Sequence, residues 1–349
     1  MRSDATDAPA APADATPDTL TRRLAWATLG FTVAVILGGA VVRATDSGAG
    51  CGESWPRCDG HLIPVSPGGA TIIEFSHRLM SAALGVALIS LGIAIVRRHL
   101  RINSTTGFAE TVRTTASMAV LPSRYASKSS LERAFGWAVV FFFGEVIIGA
   151  VLVLFGWVGE DASVGRVVAV SLHLVNTFLL LGALTLVVYF AGNRDRLLEH
   201  NTTVRRVVLA GIVVMLVVGA SGALNALSDT LFPADSLLEG IRYEFGATAP
   251  LLVQLRILHP VIAIVGGGTI FLLAQSPALA AERTVRLRRT VMAIIGVQIV
   301  VGLVNVALLT PLETQVLHLL LADTLWIAWV WLGATALDVS VSETARVIA

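Results

Sequence analysis

Eight long apolar runs, at about 24–42, 71–96, 134–157, 165–191, 207–227, 251–275, 290–310 and 314–336, constrain this chain more than any other feature. Each is close to the ~20 residues that a helix needs to cross a bilayer. Inside a bilayer the backbone must satisfy its own hydrogen bonds, which leaves helices or a closed barrel. The runs are continuous rather than alternating, so a barrel is excluded. Composition agrees: 14% of residues are charged and 55% hydrophobic, with a mean hydropathy of +0.78, against about 25% charged in soluble domains. These values exclude a water-soluble enzyme, a nucleic-acid binder and a disordered chain. A net charge of +1 gives no reason to expect a polyanionic partner. The expected fold is an all-α polytopic membrane protein with eight transmembrane helices. The first run follows Arg22-Arg23 as a signal peptide would, but its 19 residues exceed a usual signal core, and it reads as a retained helix.

Lys and Arg set the orientation. Residues 1–23, the 97–133 loop, the 194–206 loop, the 283–289 loop and the C-terminal segment hold 19 of the 25. The opposite side holds Arg43, Arg57, Arg78, Arg166, Arg242 and Arg256. The positive-inside rule then places both termini in the cytoplasm of a cell with a plasma membrane. Residues 1–23 and 337–349 read as tails, the first of them disordered, and 192–206 as a cytoplasmic linker. The Ser/Thr-rich 97–133 loop reads as a flexible linker. The two cysteines, Cys51 and Cys58, fall in the first outer loop with Trp55-Pro56 between them. That side suits a disulfide, and free thiols or a metal site are the alternatives.

The runs repeat. Odd-numbered spans carry small residues near their outer ends: Gly38-Gly39, Gly149-Ala150, Gly219-Ala220 with Gly222, and Gly302. Each even-numbered span carries one histidine in its outer part: His77, His173, His259 and His318. Long outer loops precede spans two and six and short ones precede spans four and eight. This pattern predicts two tandem four-helix bundles, 24–191 and 207–336. The remaining histidines, His61, His99 and His200, read as solvated.

The four histidines lie roughly 7–13 Å below the outer surface at 1.5 Å per residue. Ionisable groups at membrane depth mark functional sites. Two imidazoles on facing helices beside glycines suit a bis-histidine haem, with a proton path or plain packing as alternatives. Pairing within halves joins His77 with His173, and His259 with His318. The halves differ. Glu74 precedes His77 by three residues and shares its helix face, whereas Arg256 holds the matching place before His259. Asp323 follows His318 by five residues, displaced around the helix. A carboxylate beside an iron ligand can accept a proton or orient water; the plainer role for Glu74 is an ion pair with Arg78. Arg78 and Arg256 are also suited to haem propionates.

The loop Asp46-Ser-Gly-Ala-Gly-Cys51…Trp55-Pro56-Arg57-Cys58, followed by Glu74-x-x-His77-Arg78, resembles the heme A synthase family, and the resemblance extends over about 24–336. It implies oxidation of the C8 methyl of heme O to the formyl group of heme A for cytochrome oxidase. It further implies a substrate site in the N-terminal half, with His77 and His173 as ligands, Arg78 beside them and Glu74 assisting the oxidation. In the C-terminal half, His259 and His318 would hold the iron of a permanent heme b. Cys51 and Cys58 match the family's disulfide-forming pair. Heme O synthase and cytochrome oxidase assembly factors become candidate partners, and a bacterial plasma membrane the implied location. Two departures stand out: 228–250 lacks the second cysteine pair of some members, and Pro260 replaces an arginine often found after the third histidine. The alternative class is a di-haem b-type electron-transfer cytochrome, which would share the four histidines. A transporter built from repeats is disfavoured, because it predicts helices broken near the midplane.

Overall fold

The computed structural model describes residues 18–114, 129–192, 196–198, 201–246 and 248–340. Eight spans are long and apolar enough to cross a membrane. They are α1 (Thr19–Ala44), α2 (Gly69–Thr114), α3 (Ser130–Leu154), α4 (Val164–Ala191), α5 (Thr202–Leu231), the composite of α7 (Leu251–Gln254) and α8 (Leu258–Ala274), α9 (Val285–Ala307) and α10 (Leu312–Leu337). A short helix, α6 (Leu237–Glu244), lies in the connection after α5. The multi-pass helical fold expected from the apolar runs is the fold observed.

Side-chain oxygens start several helices by accepting otherwise orphaned backbone N–H groups. Asp18 caps α1 through Thr21 N, Ser163 caps α4 through Arg166 N, and Asn201 caps α5 through Val204 N. Ser129 and Glu132 close a reciprocal capping box at α3. The sixth span is interrupted by a 3₁₀ turn at Leu255–Ile257. Pro260 explains it: lacking an N–H, it cannot bond the Arg256 carbonyl four residues back.

Three expectations at the basic face are corrected. α1 begins at Thr19, inside the expected 1–23 tail. α2 runs on to Thr114, through the first half of the expected 97–133 loop. Hydropathy marks where a chain leaves the membrane, not where its helix ends, and no proline stops this one. Arg98 is buried there and donates to Ala191 O at the end of α4, a favourable place for a cation. The expected 192–206 linker and 337–349 tail instead contribute β1 (Arg196–Leu198) and β2 (Asp338–Ser340), a small antiparallel ribbon. Residues 1–17, 115–128 and 341–349 lie outside the described residues.

Helices α1 and α2, α3 and α4, α5 and α8, and α9 and α10 pack as close pairs. α1 and α4 from the first set meet α5 and α10 from the second, an arrangement compatible with two tandem bundles. α4 is the most enclosed span. Phe178 on α4 stacks on Trp326 of α10 at 5.0 Å, and Trp329 Nε1 donates to Val208 O of α5. Glycine makes this approach possible: a Cβ on Gly219 would stand 2.5 Å from Phe178, and one on Gly211 2.2 Å from Trp329. Small residues at a crossing let van der Waals packing hold membrane helices together.

Arg43, at the end of α1, also ties the two sets. It donates to Ala226 O at 2.6 Å and Thr230 Oγ1 at 2.9 Å on α5, and to Gln315 Oε1 at 2.7 Å on α10. Hydrogen bonds to a charged group contribute roughly 1.5–3 kcal/mol each, less the cost of desolvation. Arg43→Ala should therefore destabilise the fold by about 2–4 kcal/mol, read as a lower melting temperature of the detergent-solubilised protein.

Candidate functional site

The loop before α2 folds onto its first turns. Cys51 and Cys58 form a disulfide, as the sequence favoured. Their neighbours lock it: Cys58 and His61 exchange backbone hydrogen bonds, and Asp59 N donates to Cys51 O. A Cβ on Gly50 would stand 2.5 Å from the Ala70 backbone, so a side chain there would lift the loop from the helix. Cys51 N donates to Glu74 Oε2 at 2.7 Å. The other carboxylate oxygen pairs with the Arg78 guanidinium, through Nε at 3.0 Å and through Nη2. Arg78 also donates to Ser54 O and Arg57 O at 2.8 and 2.9 Å. Glu74 thus makes the ion pair with Arg78 and a backbone bond that the sequence did not reveal. It is 4% exposed and joins the disulfide loop to the helix that carries His77.

His77 lies against α1. A Cβ on Gly39 would be 3.1 Å from His77 Cε1, and one on Gly38 3.4 Å from His77 Nδ1. His77 Nδ1 is buried without a hydrogen-bond partner. His173, on α4, faces α3, where Glu145 Oε2 stands 2.8 Å from its Nδ1. The contact has the distance of an ion pair without the alignment of a hydrogen bond. His77, His173 and Glu145 are near enough to feel one another's charge. Sequence reading missed Glu145, although a carboxylate inside an apolar run was a signal in plain view. The repeat pattern also fails at one place, since nothing lies within 4 Å of a Cβ on Gly149.

The second set brings its two histidines together edge to face. The His259 and His318 ring centroids are 6.5 Å apart with planes at 89°. Glycines back both: a Cβ on Gly222 would be 3.0 Å from His259 Cε1, and one on Gly302 2.9 Å from His318 Cε1. Ser221 Oγ bonds His259 Nδ1 at 3.0 Å, and Gln298 Nε2 lies 3.2 Å from His318 Nε2. Arg256 is buried against Asp229 at 3.2 Å and also donates to Ser228 Oγ, Ser228 O and Phe232 O. Of the remaining histidines, His99 is not free in solvent but pairs with Glu132 at 2.6 Å. His61 belongs to the disulfide loop, and His200 lies outside the described residues.

These residues suit a haem. Among the described residues, no three His, Cys, Asp or Glu side chains gather to hold a bare metal ion. Paired imidazoles are what the iron of a planar macrocycle lacks. With a metal–nitrogen bond of roughly 2 Å and about 1 Å more to each ring centre, two axial histidines stand about 6 Å apart. The 6.5 Å separation of His259 and His318 matches.

The fold is thus that of a polytopic membrane protein in which His259 and His318 meet. The chain belongs to the cytochrome oxidase assembly protein (COX15-CtaA) family, whose profile matches residues 22–330. It is 37% identical over 322 residues to a Thermus thermophilus protein named protoheme IX farnesyltransferase, a match covering 90% of this chain and 48% of that relative. It is 50% identical over 66 residues to a heme A synthase of an Exiguobacterium species, covering 19% of this chain and 22% of the relative. A heme A synthase of Lysinibacillus sphaericus is 40% identical over 92 residues, covering 25% and 30%. The chain spans about half the length of the Thermus relative it matches and less than a third of these heme A synthases.

The space beside His318 gives a direct test of the second site. Gly302→Val puts branched carbon where a Cβ is already 2.9 Å from the ring, so the ring must move. Haem content of the purified variant, measured as the pyridine haemochrome, should fall by half or more relative to wild type.

Proposed function

We propose that this protein is a heme A synthase, oxidising the C8 methyl of heme O to a formyl group in two tandem units, 24–191 and 207–336. The observation that carries the reading is the inequality of the two histidine sites within this family. Glu74 lies one helical turn before His77, and Arg256 takes the matching place before His259. One site is equipped for proton transfer at its ligand, and the other for holding a group unchanged.

His77 and His173 would bind the substrate iron, with Arg78 at the rim beside the disulfide loop. Taking methyl to formyl with water as the oxygen source releases four protons and four electrons, and the electrons must pass to an external acceptor such as a membrane quinone. Glu74, a buried carboxylate held by Cys51 N and Arg78, is the group placed to accept protons or orient that water. His259 and His318 would hold a permanent b-type haem, which supplies one-electron transfer. The arginine-rich face is assigned to the cytoplasm of a bacterium and the disulfide loop to the outside. The half-length match to a protein named protoheme IX farnesyltransferase supports a heme O synthase as the supplier of substrate.

The test is haem extraction and chromatography from membranes making this protein together with a heme O-forming synthase. A haem with a formyl substituent, or its hydroxymethyl precursor, is expected. Unmodified haem alone, from folded protein with bis-histidine spectra at two sites, would make it an electron-transfer cytochrome instead. His259→Ala should strip the permanent haem, whereas His77→Ala should keep it and abolish conversion. Glu74→Gln should keep the substrate haem and slow its oxidation by roughly 10²–10⁴-fold, the usual worth of a general acid or base. Product formation per bound haem reads both.

A further inference from the structure

Glu145 and Gln298 occupy one repeated position. Each precedes the small-residue site of its span by four residues, Gly149 in α3 and Gly302 in α9. Each also faces the histidine of the next spanning helix, but at opposite ring nitrogens: Glu145 stands at His173 Nδ1 and Gln298 at His318 Nε2. His318 Nδ1 is buried without a partner, so the second site has no acid behind its histidine.

The acid is firmly held. Asn176 Nδ2 donates to Glu145 Oε1 at 2.5 Å and Thr177 Oγ1 to Glu145 Oε2 at 2.8 Å, both from α4. Asn176 Nδ2 also donates to Phe141 O at 2.7 Å. The helices come this close because residue 144 is glycine: a Cβ there would stand 2.7 Å from Asn176 Oδ1. Its place on the Nδ1 side of His173 leaves Nε2 for a metal. A carboxylate 2.8 Å from the non-ligating nitrogen favours a proton there and raises the basicity of the ring.

We propose that Glu145 is a positioning residue for His173, and that its carboxylate on the Nδ1 side, which has no counterpart behind His318, sets the first haem at a lower reduction potential than the second. The inference rests on the reading that His173 and His318 are axial haem ligands. A more basic histidine favours the oxidised iron, so the potentials run downhill for electrons leaving the first site towards the resident haem of the second.

The test is a spectroelectrochemical titration of the full chain in detergent, reconstituted with hemin. Wild type is compared with Glu145→Gln and Glu145→Asp. The wild type should show two bis-histidine components of unequal midpoint. Glu145→Gln should raise the lower one by about 59 mV or more, a tenfold change in a one-electron equilibrium, and leave the other in place. Glu145→Asp, which keeps the carboxylate but draws it back from Nδ1, should give an intermediate midpoint. A merely structural Glu145 would reduce haem occupancy or melting temperature with the midpoints unmoved, and that result overturns the proposal. Should Glu145→Gln fail to fold, Glu145→Asp decides alone: an unmoved lower component rejects the proposal. A wild type that binds no bis-histidine haem rejects the proposed function together with this inference, whereas two bound haems with unshifted variants reject the inference alone.

Discussion

The absence of water from the bilayer interior governs this structure. It forces the backbone into helices, and it makes each polar side chain at depth a group that needs a partner or a task. Thr28 and Thr32 meet that demand by bonding carbonyls four residues back in their own helix. Arg43 meets it with two groups of α5 and one of α10, Arg256 with Asp229 and the end of α5, and Glu145 with Asn176 and Thr177. Because such partners come from other helices, satisfying a polar group also fixes how the helices assemble. Among the described residues the demand goes unmet at Nδ1 of His77 and of His318, at Nε1 of Trp326 and at both carboxylate oxygens of Asp323, all buried with no partner.

Close helix approach seats the imidazoles. Glycine at 39, 222 and 302 places backbone against an imidazole where a Cβ would crowd the ring. Elsewhere glycine serves packing, as at Gly211 under Trp329 and Gly219 under Phe178. The same residue type therefore has two uses here, distinguished by what stands opposite. Nothing in the one-dimensional pattern separates them, which is why Gly149 joined the repeat in sequence and faces no histidine in space.

The first site differs from the second in its connections as much as in its residues. Glu74 links the disulfide loop to the turn before His77, so the outer loop and the histidine helix form one mechanical unit. Its counterpart Arg256 is anchored inward, to the end of α5. A loop-coupled carboxylate in one half and an arginine anchored to α5 in the other support the proposed division between a substrate site and a site that keeps its haem.

Periodicity and hydropathy were enough to read the eight spans, the helices that carry His77, His173, His259 and His318, the asymmetry of Glu74 and Arg256, and the loop holding Cys51 and Cys58. These depend on spacing along one chain, and solvent-driven patterning writes such spacing directly into the residues. The extent of α2 to Thr114 was not legible, because helices continue in water once a membrane span has started them. Nor was the β1–β2 ribbon, whose strands are 140 residues apart in chain order, counted from Leu198 to Asp338. Glu145 was visible as a residue but not as a partner of His173, and the same holds for Arg43 with Gln315. Sequence by itself determined which groups lie at membrane depth and in which helix. Tertiary structure alone decided which of them meet, because contact across helices depends on the rotation and crossing of each pair, and those are set by small residues and side-chain packing rather than by the order of the chain.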